Sequence, residues 1–163
     1  SCSSIMRVKI ILLALLTVSA AYLFWNSVGH YIRLTSLYSS EMQLALTKYW
    51  EVMLDKSTYD NPDRITTVAT GDYLKDQIKM YRAFPMSVSR TLRSVRVVQV
   101  IEYTSKCSLT EDLASYVPGQ FRYYHIFLKE DEVWKVIDEY PISPSPDFAP
   151  AEAPPKHCAD FGN

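Results

Sequence analysis

The sequence predicts an α+β protein with an N-terminal transmembrane helix, then helices packed in a curved, cone-like antiparallel sheet, then a disordered proline-rich tail. Three observations predict it. A single apolar run, Ile10 to Trp25, follows the cations Arg7 and Lys9. Apolar positions then recur every three or four residues as far as Leu54, and after about Ser94 the period falls to two, which is the change from helix to strand. The last segment, from Pro141, holds six of the nine prolines and few large apolar side chains.

The apolar run rises about 24 Å as a helix, short of a hydrocarbon core of ~30 Å, and adding Val8 with Asn26, Ser27 and Val28 brings it to spanning length. Tyr22, Trp25 and Tyr31 stand where an interfacial aromatic belt would. Arg7 and Lys9 hold their end on the cytoplasmic side, so residues 1–9 form a cytoplasmic lead, 10–28 an anchor, and the remainder lies outside the cytoplasm. The alternative is a signal peptide cleaved near Ala20, after the small residues Val18-Ser19-Ala20, which would release a secreted protein.

Residues 35–140 are enough for one hydrophobic core. Leu34, Tyr38, Met42, Ala45, Leu46, Tyr49, Met53 and Leu54 line one face of a helix, for which Ser40 and Gln43 offer a capping box that starts it near Glu41. Asn61-Pro62 opens a second, short helix with Ile65, Val68 and Ala69 inward. Gly71 ends it, and Asp72 caps a third helix that Pro85 stops. Strands follow: one over Val95–Tyr103, with Val95, Val97, Gln99, Ile101 and Tyr103 on one face, and one over Gln120–Leu128. Glu130-Asp131-Glu132 then turns into a third over Val133–Tyr140.

This order of elements, with Thr70-Gly71-Asp72-Tyr73-Leu74 before the sheet and Trp134-Lys135-Val136-Ile137-Asp138 in the closing strand, resembles the nuclear transport factor 2-like superfamily over residues 35–140. The resemblance implies a cone-shaped α+β domain, and a family that holds isomerase-like and cyclase-like enzymes, non-catalytic binding modules and membrane-anchored assembly components. Fold alone does not choose among them.

The chemistry-bearing residues are sparse. Tyr123, His125, Phe127, Trp134 and Asp138 are candidates to line a cone cavity, with His125 the sharpest because it sits on an aromatic strand face. Glu102 falls opposite the apolar face of its strand and is expected to meet water. No pair of carboxylates or hydroxyls has the spacing of an acid–base couple, so no catalytic residue is assigned. The three histidines are far apart in sequence and the chain has only four glycines, so neither a metal site nor a phosphate loop is expected, and no cofactor. Arg82, Arg90, Arg93 and Arg96 lie in a stretch without any acid between Asp76 and Glu102, a candidate basic contact rim.

A formal charge of −1 gives no general attraction to nucleic acid, and no aromatic interleaving of the stacking kind appears. Cys107 and Cys158 are a candidate disulfide in an oxidising compartment, with two free thiols as the alternative. The expected function is a non-catalytic, membrane-anchored extracytoplasmic binding or assembly module. Its expected partners are the membrane, through Ile10–Val28, and a protein or a second copy. The alternative is a small-molecule binder or isomerase/cyclase-like enzyme using the cavity.

Overall fold

The computed structural model describes residues 2–84, 90–116, 119–142 and 153–162. The chain forms two compact units, Ser1–Arg33 and Leu34–Asn163. In the first, α1 (Cys2–Phe24) is followed by π-helical turns at Trp25–Gly29. From Ile10 onward its large apolar side chains are exposed, Ile10 at 62 % and Leu13 at 68 %. Among the described residues no helix is long and apolar enough to cross a membrane. The transmembrane helix expected over 10–28 is therefore not supplied by α1 alone. From Ile10 to Phe24 it rises about 22 Å, and there the α-helix gives way to the wider π turns.

In the second unit, helices cover one face of a four-stranded antiparallel sheet, which establishes the α+β class. The helix expected to start at Glu41 is already under way there: α2 runs from His30 to Leu54, so no capping box forms at Ser40. Its stripe of Met42, Leu46, Tyr49, Trp50, Met53 and Leu54 is buried. A short α3 (Lys56–Asp60) is capped by Asp55, whose side chain accepts from the Ser57 N–H. Pro62–Thr67 is a 3-10 helix opened by Pro62, with Ile65 buried.

The third predicted helix, α4 (Gly71–Ala83), is entered through Gly71, with Thr70 as N-cap, so Gly71 begins a helix rather than ending one. Its φ is +65°, and a Cβ there would sit 3.3 Å from Ile137, so both backbone and space require glycine. Asp72, expected as the cap, lies in the first turn and pairs with Lys75. Pro85, the expected stop, lies outside the described residues.

The sheet is a meander, β1 (Leu92–Tyr103), β2 (Cys107–Tyr116), β3 (Gly119–Glu130) and β4 (Val133–Ile142), each paired with the next. β2 is a strand that the apolar pattern does not announce. The β3–β4 turn is a two-residue loop with positive φ at Asp131 and Glu132, as the right-handed twist of a tight hairpin demands.

Bulges reset the faces. In β1 the register shifts between Val97 and Gln99 and again between Val100 and Glu102. Val95, Val97, Val100 and Tyr103 therefore pack under the helices, while Gln99 bonds Glu111 and Ile101 joins a cluster on the opposite face. The face expected from strict alternation, with Gln99 and Ile101 inward, is thus broken twice.

Each sheet edge has partners. Gln43 of α2 donates from Nε2 to the Val95 carbonyl (2.7 Å) and accepts from the Val97 N–H (2.9 Å), so its amide stands in for a neighbouring strand. On the β4 edge, Val136 exchanges backbone hydrogen bonds with Val68 (2.8 Å) and Thr70 (2.9 Å). The tail expected to be disordered from Pro141 departs from that expectation in two places. Pro141 is still in edge strand β4, opposite Tyr123, where a missing N–H is tolerated. Residues 153–162 are held against the sheet, ending in a 3-10 turn at Cys158–Phe161, because a disulfide supplies the attachment that the composition lacks.

Candidate functional site

The inner face of the sheet carries a buried polar cluster built by five elements. β2 brings Asp112, β3 His125, β4 Glu139, α2 Tyr49 and Trp50, and α4 Tyr73. His125 is the hub. Its Nδ1 is 2.5 Å from Asp112 Oδ1 and its Nε2 is 2.8 Å from Glu139 Oε2. The Trp50 indole N–H donates to Asp112 Oδ2 at 3.2 Å. Tyr49 donates from its hydroxyl to Glu139 Oε2 at 2.7 Å, and the Tyr73 hydroxyl lies 2.5 Å from that of Tyr49. His125 and Asp112 are wholly buried, and the Glu139 side chain is 20 % exposed.

The sequence builds this cluster by local means. Apolar and aromatic neighbours on α2 fix Tyr49 and Trp50 inward, so the Tyr49 hydroxyl and the Trp50 N–H have to find partners inside. The rings of Tyr49 and Trp50 both meet the imidazole edge-on, with centroids at 5.0 and 5.8 Å. Among the described residues no buried side-chain nitrogen or oxygen lacks a partner.

Burial presses the His125 pKa down, but the Asp112 and Glu139 carboxylates on its two nitrogens outweigh that and push it up to about 10. Burial works the other way on Glu139, yet the hydrogen bond and charge of His125, with the Tyr49 hydroxyl, hold its carboxyl below the usual range. Tyr49 is driven far above the ordinary phenol value by burial first and by Glu139 second. The ring is therefore an imidazolium at neutral pH, with both N–H groups already donated. Such a group neither accepts a proton nor offers one to a substrate without breaking a buried ion pair.

Of the residues read as cavity-lining, Tyr123, His125, Phe127 and Trp134 do face the helices. Phe127 is wholly buried, and Tyr123 shares a hydroxyl contact with Tyr116 at 3.2 Å. Trp134, 9 % exposed, donates its N–H to Glu41 Oε1 at 2.6 Å. Asp138 does not belong with them. A bulge in β4, where Val136 and Asp138 pair with consecutive β3 residues, sends Asp138 to the outer face and Glu139 inward. There Asp138 accepts from the Tyr140 hydroxyl at 2.5 Å and from Lys156 Nζ at 2.7 Å.

Glu102, expected to meet water, instead accepts from the Cys158 backbone N–H at 2.9 Å and bonds His157. Cys107 and Cys158 are joined in a disulfide with Cα atoms 5.9 Å apart. The basic residues are spread: Arg82 pairs with Asp63 at 3.1 Å, Arg90 lies 6.0 Å above the Tyr116 ring, and Arg93 and Arg96 are exposed on β1.

Asp112, Glu139, Tyr49, Trp50 and Tyr73 are site residues that sequence pattern did not assign. Trp50, directly after Tyr49 on the helix, was the available hint, since two adjacent aromatics with polar tips on a buried face imply an acceptor inside. Among the described residues no group of three or more His, Cys, Asp and Glu side chains is placed to hold a metal ion.

What these features define is a class: a helix-covered antiparallel α+β domain with a buried polar cluster on its inner face. No protein-family model matches the chain, and no curated protein matches it. Among solved structures it is similar to the intermembrane space region of chloroplast protein ARC6. The TM-score is 0.54 and the identity 10 %, over 63 % of this chain and 95 % of that one, a likeness of fold.

Proposed function

We propose that this chain is a non-catalytic binding or assembly module of nuclear transport factor 2-like type, anchored in a membrane by its first unit with the α+β domain outside the cytoplasm. One observation carries the non-catalytic reading. Among the described residues the histidine on the inner face, His125, is buried with both nitrogens bound to carboxylates, and the rings of Tyr49, Trp50, Tyr123 and Phe127 pack around it. The membrane reading is supported by residues 10–24 of α1, whose large apolar side chains are exposed, an arrangement that is costly in water and natural in lipid. A span would use the turns at Trp25–Gly29 in addition to α1. The exposed Arg90, Arg93 and Arg96 supply the charge for a contact with an acidic partner or an anionic lipid surface.

The test uses the full chain in native membranes, with copurifying protein measured after mild detergent extraction. Replacing Arg90, Arg93 and Arg96 by Gln is expected to weaken association and its salt dependence while the chain stays in the carbonate-resistant membrane fraction. Release of the unaltered chain by carbonate contradicts the anchor. Retention of all partners by the triple variant contradicts the contact rim.

A further inference from the structure

The outer face of the sheet has its own apolar cluster, separate from the core under the helices. Leu109 and Ile126 are fully buried there and Tyr124 nearly so. What covers them includes residues 153–162, which add no strand: among the described residues their backbone–backbone hydrogen bonds are local, Asp160 N–H to the His157 carbonyl and Gly162 N–H to the Ala159 carbonyl. Their hold on the sheet is made by side chains. Lys156 pairs with Asp138 at 2.7 Å and lies 5.8 Å above the Tyr140 ring, and Glu102 takes the Cys158 N–H and the His157 ring. The Lys156 and His157 side chains of this set are about half exposed, at 49 % and 50 %. Exposed pairs of this kind are weak and screened by salt. Among the described residues the covalent attachment is Cys107 on β2 to Cys158, across 51 residues of sequence, beside the packing of Cys158 and Phe161 on the apolar cluster.

We propose that residues 153–162 are a strap latched by thiol–disulfide exchange, and that reducing Cys107–Cys158 lifts it and uncovers the Leu109–Tyr124–Ile126 face while the helix-covered core stays folded. The reaction is ordinary exchange with a dithiol. One thiolate of the dithiol attacks a sulfur of the pair and its second thiol resolves the mixed disulfide. The products are Cys107 and Cys158 as thiols and the dithiol as its own disulfide, with two electrons and two protons passed to the protein. The division of labour in the fold makes this selective. The core and the Asp112–His125–Glu139 cluster share no described hydrogen bond with the strap, so its release leaves them intact.

The experiment compares the full chain in detergent micelles, oxidised and after dithiothreitol, by amide hydrogen exchange and by trypsin cleavage after Lys156. Reduction is expected to speed that cleavage and the exchange of residues 153–162 by about tenfold or more, with exchange in α2 and the inner β3 amides unchanged. Fluorescence of an apolar dye should rise as the face is uncovered. A variant with both Cys107→Ser and Cys158→Ser should behave as the reduced protein under either condition. Equal protection of the strap before and after reduction overturns the proposal, because the polar contacts would then suffice. So does loss of protection throughout α2 and β3, which would make the disulfide a fastener of the whole domain.

Discussion

Each face of the sheet sets a histidine against carboxylates, and the two pairs differ in their surroundings. Inside, His125 stands between Asp112 and Glu139 with no solvent on the ring. Outside, His157 meets Glu102 with half of its side chain in water. Water screens the outer pair and can replace either partner when it is lost. The inner pair has no such substitute, so its geometry, charge state and worth are tied together. The comparison teaches that the same residue types are a rigid internal strut on one side and a dispensable contact on the other.

The largest expected break is inside. His125→Ala leaves Asp112 and Glu139 facing each other without a cation, and should cost about 3–5 kcal/mol in denaturant melts of the detergent-solubilised chain. That is a large part of the total for a domain of this size. Replacing His125, Asp112 and Glu139 together by Phe, Leu and Met should recover part of the loss, because the desolvation cost of the charges disappears with them while the buried Trp50 N–H loses its acceptor. A single His125→Ala that melts with the parent would mean the ring is not the hub.

The next effect is in pH. A pKa raised from 6.5 to about 10 on folding means His125 stabilises fully below pH 6.5 and progressively less as pH rises towards 10. The parent should therefore lose stability over that window by up to about 1.4 kcal/mol per pH unit, and a His125→Gln variant should show that much less slope. Glu139, whose pKa is lowered, acts in the opposite sense: its contribution is present above its ordinary value of 4.5 and is lost as pH falls below it. Together they place the optimum between about pH 5 and 6.5.

The smallest effect is outside. Glu102→Gln should change melting by less than ~1 kcal/mol, since the pair it breaks is part-exposed and the disulfide keeps the strap in place. An effect as large as that of His125→Ala would erase the distinction between the faces.

How far the sequence foretold this arrangement follows from the same contrast. The α2 stripe was legible because Met42, Leu46, Tyr49 and Met53 repeat at helical spacing, and the β3 alternation was legible because Tyr123, His125 and Phe127 share one face. β2 was not. Its buried positions include Ser108, Thr110, Glu111 and Asp112, which read as surface until their partners are known. Glu111, for example, is covered while bonded to Gln99 and Arg122. The bulge in β4 hid the exchange of Asp138 for Glu139, since a one-residue shift turns a side chain to the other face. Composition marked the proline-rich end as unable to fold alone, and a covalent bond to β2 is what composition does not encode.

The most direct test of the inner cluster is the protonation state of His125 itself. Nitrogen-detected NMR of the imidazole in the solubilised full chain, titrated from pH 5 to 11, should show both ring nitrogens protonated at pH 7 and a midpoint near 10. A neutral ring at pH 7, titrating near 6.5 like a free histidine, would contradict the account and return His125 to the acid–base chemistry that this interior is argued to exclude.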